Sequence, residues 1–275
     1  MKKVMAIVVI VSFALGAFTL AGCTKVKSDT SAATKANSTG ALAGKTIIVG
    51  TDAPYPPMEM VKSDGTYEGF DVDIMDAAAK AEGGTVQFKT SGFDALIAAM
   101  GATGGDYDAA ASSITITPER QKNMLFSDPY FNANQSFAVP TGSTMTSTKD
   151  IKKGMKIAVQ LGTTGEIWAN KNLKAKGVEV KSYDQVPGCF AALSAGDVDG
   201  IIVDFQVASD YAADKTRKAT IVEQISTGEQ YGIAFPKTNT TYLAAINKGL
   251  KTIKADGTYT KIYKKWFKVE PVSIP

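Results

Sequence analysis

In the stretch SSITITPERQK, residues 112–122, an arginine occupies a place that a helix does not favour. Thr117 is a good N-cap, and Pro118 suits the first helical position, where its missing N–H is no loss. Glu119 sits well beside the positive end of the helix dipole, whereas Arg120 is disfavoured there by roughly a few tenths of a kcal/mol. A guanidinium so placed either faces solvent or meets an anion, and its planar fork holds a carboxylate through two parallel bonds. Complementary groups follow other strand-like runs: Asp52 in TDAPYPP, Ser112-Ser113-Ile114-Thr115 after DAAA, Gly162-Thr163-Thr164-Gly165-Glu166, and Asp204 ending GIIVD. The N–H groups of residues 163–165, opening a helix, would support the same carboxylate. Asp204 would accept an ammonium, helped by the Ser113 carbonyl and the Thr115 hydroxyl. Tyr55 and Phe93 would wall a side-chain pocket, with Asp52 answering a cationic or amide side chain. Together these groups suit a zwitterion.

Each of these residues also has a purely structural reading. Asp52 suits a turn before proline, Tyr55 and Phe93 suit a core, Thr163 and Thr164 suit helix capping, and Asp204 suits an N-cap. Glu166 reads as a first-turn helix acid. Other chemistry is excluded by composition: the chain has no histidine, so Ser-His, Cys-His and His-ligated zinc sites are ruled out. Cys189, in VPGCFAAL, reads as a core thiol. GALAGKT, residues 40–46, has one residue too few between its glycines for a phosphate-binding loop, and a strand follows it where a helix should. Asp71 and Asp73 lack the glycine and spacing of a calcium loop and read as dipole-compensating acids. No catalytic residue, metal or cofactor is expected.

Positioning these groups requires strands that end at a common edge. TIIVG (46–50), TVQFK (85–89) and DAAASSI (108–114) are strand-like. Between them lie helical stretches: DVDIMDAAAKA (71–81), and a run with Phe93, Leu96, Ile97 and Met100 at helical spacing. A second round comprises KIAVQ (156–160), a helix around Glu166–Leu173, VEVKSY, a helix around Val186–Ala195, and GIIVD (200–204). YGIAF (231–235) and two helices close the chain, the last with Tyr259, Ile262, Tyr263 and Trp266 on one face. Continuous apolar strands alternating with helices predict α/β lobes, each a mostly parallel sheet with helices on both faces. The expected division is lobe 1 at 45–134 plus 232–275 and lobe 2 at 139–226. Two crossings near 135–138 and 227–231 form a hinge, and ligands collect beyond the carboxyl ends of such strands.

Residues 1–22 have a signal peptide's layout: Lys2 and Lys3, an apolar stretch to Leu20, then small residues. Cys23 directly after Leu-Ala-Gly resembles the lipobox of bacterial lipoproteins, which implies a lipid on its thiol. The alternative is an uncleaved membrane anchor. Residues 23–44 read as a flexible tether. Cleavage removes two lysines and no acid, so the formal charge of +3 falls to about +1, which is no nucleic-acid footprint.

GTDAPYPPMEM, EGFDVDI, FDALIAAM, YDAAASSITITPERQKNMLFSDPYF, GTTGE and QYGIAFPK…GTYTKIYKKWF resemble family 3 of the bacterial extracellular solute-binding proteins, over roughly residues 45–270. The resemblance implies a monomeric, two-lobed receptor of the type II periplasmic-binding-protein-like fold. It would bind a polar L-amino acid tightly outside the cytoplasmic membrane, lipid-anchored at Cys23, and deliver it to an ABC import permease. The contacts implied are Asp52, Tyr55, Phe93, Ser112, Ser113, Thr115, Arg120, Thr164 and Asp204. Gln160 stands where a glutamine binder carries lysine, Val203 where it carries histidine, and Gly165 where basic-amino-acid binders often carry glutamine. A basic side chain, arginine or lysine, is favoured with glutamine close behind, because Asp52 between two aromatic walls suits a cation. Sensory or adhesive surface lipoproteins are an alternative reading. A dehydratase-like enzyme is another, and it needs Glu166 or Asp52 poised as an acid in the cleft.

Overall fold

A computed structural model describes residues 40–102 and 105–275. The expected signal peptide, Cys23 and most of the tether lie outside the described residues. Leu42, which the sequence places in the tether, is fully buried. The residues of GALAGKT turn directly into a strand.

The elements are β1 (Thr46–Thr51), β2 (Met60–Val61), β3 (Tyr67–Glu68), α1 (Phe70–Ala81), β4 (Thr85–Thr90), α2 (Phe93–Gly101), β5 (Ala109–Ala110), α3 (Pro118–Asn123) and β6 (Leu125–Phe126). There follow β7 (Phe131–Pro140), β8 (Lys156–Gln160), α4 (Thr164–Leu173), β9 (Glu179–Tyr183), α5 (Val186–Ala195), β10 (Gly200–Asp204), α6 (Phe205–Ala213), β11 (Ala219–Tyr231), β12 (Ala234–Phe235), α7 (Thr240–Ala255) and α8 (Thr258–Phe267). This is an α/β fold with two five-stranded sheets, in the orders β4-β1-β5-β12-β6 and β11-β7-β10-β8-β9. In each sheet the first three strands of its βα round run parallel, and the returning strands add antiparallel pairs.

The chain passes between the sheets twice, after β6 and after β11. β7 and β11 pair antiparallel from Pro140↔Ala219 to Phe131↔Tyr231, with the register broken between Ile225 and Glu229. Residues 131–138 therefore run as one strand of the second sheet, and the stretch before Tyr231 is strand as well. The crossing is pinned by aromatic packing. Phe131 stacks on Tyr231 at 5.4 Å and on Tyr263 at 6.1 Å, and Phe70 meets Tyr259 edge-on at 6.0 Å. The expected face of α8 is borne out at Tyr259, which is fully buried. The two sheets meet at their strand ends, where Arg120 Nη2 donates to the Gly162 carbonyl at 3.1 Å.

Candidate functional site

Asp52, Ser112 and Ser113, Gln160, and Asp204 follow or end β1, β5, β8 and β10, so the strand ends of both sheets converge as expected. All eleven residues singled out as ligand contacts line one cavity: Asp52, Tyr55, Phe93, Ser112, Ser113, Thr115, Arg120, Gln160, Thr163, Thr164 and Asp204. Glu59 lines it too.

Arg120 is turned inward and only 7% exposed. Thr117 caps α3 by accepting from the Arg120 N–H at 3.2 Å, which fixes where the side chain departs. Nη1 donates to the Thr115 carbonyl at 2.8 Å, and the guanidinium carbon lies 5.3 Å from the Phe93 ring centre. Burial lowers the guanidinium to about 10, opposed by the charges of Asp204 and Glu229. It remains cationic at neutral pH.

Asp204 stands at the head of α6 but makes no side-chain capping bond. Its carboxylate accepts instead from Gln135 Nε2 and the Tyr231 hydroxyl. Burial pushes it up to about 6, with the Glu229 charge adding to the effect. Thr163 does both things weighed for it. Its hydroxyl caps α4, accepting from the Glu166 N–H at 3.2 Å, and it lines the cavity. Thr164, the first residue of α4, faces Thr115 across the sheets at 3.3 Å between hydroxyls. Glu166 does not line the cavity; it accepts from the Gly162 N–H at 2.7 Å and from the Ser182 hydroxyl. That is a structural acid's position.

Asp52 is buried, and its carboxylate accepts from the amides of Gln160 and Gln185. Burial raises it above the ordinary carboxylate value. Gln160 thus bridges from the second sheet to the end of β1. Phe93 belongs both to the apolar stripe of α2 and to the cavity wall, so its two readings coexist.

Four supporting residues escaped the sequence reading. Asp71, expected as a dipole-compensating acid of α1, is a buried acceptor for the Ser113 N–H and for the Tyr130 hydroxyl at 2.7 Å. It holds Ser113 in the left-handed region at φ 49, a conformation that costs a non-glycine residue about 1–2 kcal/mol. Glu229 accepts from the hydroxyls of Thr115 and Thr164, each at 2.9 Å. Gln135 also donates to Glu229, at 3.2 Å. A Cβ on Gly165 would lie 2.9 Å from Gln135 Oε1, so that glycine makes room for Gln135 beside Asp204. Glu59, in PPMEM, is fully buried and accepts from the Ser112 hydroxyl at 2.7 Å. In sequence Glu59 is marked only by Pro56 and Pro57 just before it, which signal a turn and say nothing of a buried charge.

Two five-stranded α/β sheets whose strand ends meet around a buried cavity are the architecture of the two-lobed periplasmic binding proteins. The model of the bacterial extracellular solute-binding proteins, family 3, matches residues 47–269, and the chain belongs to that family. It is 35% identical over 229 residues to a probable histidine-binding protein of Neisseria gonorrhoeae, covering 82% of this chain and 85% of the relative. It is also 35% identical to an ABC transporter glutamine-binding protein of Bacillus subtilis, over 76% of each chain. Among solved structures, an ancestral arginine-binding protein bound to arginine superposes with a TM-score of 0.76 at 42% identity, covering 81% of this chain and 98% of that one. These relatives are binding proteins, not enzymes. Family members are extracellular, and no helix among the described residues is long and apolar enough to cross a membrane.

Proposed function

We propose that this chain captures a polar L-amino acid outside the cytoplasmic membrane and delivers it to an ABC import permease, with arginine or lysine preferred and glutamine next. The observation that carries the reading is the pairing of an inward guanidinium with a buried carboxylate in one cavity fed by both sheets. Arg120 takes the ligand's carboxylate, supported by Thr164 at the start of α4. Asp204 and Thr115 take its ammonium, with Ser113 beside them. Tyr55 and Phe93 flank the side chain, while Asp52 and Gln160 lie toward its end. The cavity is lined by both polar and aromatic groups, as a site for a polar amino acid requires.

On this reading residues 45–134 with 232–275 form one lobe and residues 139–226 the other. They close about the two crossings, beside the paired ends of β7 and β11 and not at 135–138, which lie within the second sheet. The contacts from Arg120 to Gly162 and from Thr115 to Thr164 belong to the closed form. Cys23 carries the lipid anchor, and the receptor works as a monomer. The test is a thermal-shift panel of the twenty L-amino acids. A ligand at 100 times its dissociation constant adds about 2.7 kcal/mol to stability, so a few polar amino acids raise Tm and the rest do not. If none raises it, the reading is wrong.

A further inference from the structure

Glu59 is the carboxylate at the cavity for which the protein supplies the least. The chain after β1 folds back so that the Tyr55 N–H donates to the Glu59 carbonyl at 2.7 Å and the Glu59 N–H to the Tyr55 carbonyl at 3.2 Å. This fixes the side chain against the cavity, where it is 0% exposed. One oxygen, Oε1, accepts from the Ser112 hydroxyl; the other, Oε2, is buried with no partner at all. The Ser112 oxygen is itself occupied by the Asp52 N–H at 2.9 Å, which locks the hydroxyl onto Glu59.

The surroundings offer no cation. Glu59 is faced by the carboxylates of Asp71, Asp52 and Asp204 and by the hydroxyls of Tyr55 and Tyr130. Among the described residues lining the cavity Arg120 is the one cation, and two of its donors are committed to the Thr115 and Gly162 carbonyls. Asp52 differs in having two amides directed at it, from Gln160 and Gln185. An unpaired buried carboxylate costs several kcal/mol and takes up a proton instead. Burial and the neighbouring carboxylates push Glu59 well above the usual range, in the same direction.

We propose that Glu59 selects the charge of the ligand's side chain: it holds a proton until a cationic side chain arrives, and gives that proton up to pair with it. The proposal rests on the amino-acid-binding reading and deepens it. Cationic ligands then bind with release of a proton that a neutral ligand of the same shape does not cause. Asp204 also titrates, at about 6, when an ammonium binds beside it. That contribution is common to every amino acid, so it cancels between two ligands that differ only at the side-chain end.

The experiment is titration calorimetry of the full chain with L-arginine and with L-citrulline, its neutral isostere, in buffers of different ionisation enthalpy at pH 7. The expected result is about one more proton released with arginine than with citrulline. In Glu59→Gln that difference disappears, and the arginine-to-citrulline affinity ratio falls tenfold or more while citrulline still binds. Equal proton release for the two ligands in the wild type overturns the proposal, as does an unchanged affinity ratio in Glu59→Gln. Should that variant fail to fold, the wild-type ratio measured from pH 5 to 9 decides the matter. A ratio that climbs with pH toward a plateau supports the exchange, and a flat ratio overturns it. Binding of neutral amino acids with arginine excluded overturns the role of Glu59 alone. If no amino acid binds, the functional reading falls with it.

Discussion

Replacing Arg120 by lysine keeps the charge and removes the fork. In the structure two guanidinium N–H groups are spent on the Thr115 and Gly162 carbonyls, at 2.8 and 3.1 Å. The remaining donors of the guanidinium are free for a ligand carboxylate, enough for a bidentate pair. An ammonium has three donors in all, so holding both carbonyls leaves it one. The variant therefore loses one or two hydrogen bonds to a charged group, each worth about 1.5–3 kcal/mol. A central value of about 3 kcal/mol corresponds to a dissociation constant raised roughly 150-fold. Loss of stacking on the Phe93 ring acts in the same direction. Calorimetric titration of Arg120→Lys with the best ligand from the amino-acid panel measures this directly, with circular dichroism establishing that the fold is retained. A folded variant within threefold of wild-type affinity would refute the assignment of Arg120 to the ligand's carboxylate.

Other outcomes follow from neighbouring features. Gly165→Gln places a Cβ 2.9 Å from Gln135 Oε1 and 3.3 Å from the Ile202 carbonyl; ligand affinity should drop about tenfold, roughly 1.4 kcal/mol, and adding Gln135→Ala should recover part of it, as titration of the single and double variants will report. Asp71 and Asp204 titrate at about 6 in the fold against an ordinary 3.8, so their contribution to stability is fully present below about pH 4 and is lost as pH rises through 6. Tm of the ligand-free protein should accordingly rise between pH 7.5 and pH 5, while amino-acid affinity falls over the same interval because a protonated Asp204 accepts no ammonium; Tm and affinity moving together would contradict this. Cys189 is 1% exposed and its thiol is pushed up to about 12 by burial, so in a Cys23→Ser background Ellman's reagent should label the protein only after denaturant is added.

The alternation of strands and helices was legible wherever the apolar pattern is continuous, as in β1, β8 and β10, whose residues are nearly all buried. β11 escaped because it is long, polar and half-exposed: in ATIVEQISTGEQY only the two end residues are buried, and there is no run of large apolar residues. Its place is set by pairing with β7 rather than by its own composition. α6 escaped for a different reason. It begins at Phe205 directly after β10, with no turn residue between strand and helix to mark a boundary. DAAASSI reads as one buried strand, yet only Ala109–Ala110 pair; beyond them the chain turns to present Ser112, Ser113 and Thr115 to the cavity.

The same distinction governs the site. The residues that were legible carry a local anomaly: a cation at the wrong end of a helix, an acid just past an apolar strand, hydroxyls at a helix start. Those that were missed look ordinary in sequence and become unusual only through burial. Asp71 satisfies every rule for a first-turn helix acid, and nothing in DVDIMD tells that Ser113, 42 residues later, folds over it at φ 49. Glu229 sits in a half-exposed strand and Gln135 in a largely buried one, yet both reach the hydroxyls and the carboxylate at the cavity. The consequence is chemical as well as topological. Arg120 and Asp204 form a zwitterion-matching pair that the sequence suffices to nominate. The preference among ligand side chains depends on how much of the charge at the other end is already answered, which is a sum over Asp52 with its two amides and Glu59 with its single hydroxyl. That sum exists only once residues more than 100 positions apart, such as Asp52 and Gln160, have been brought together.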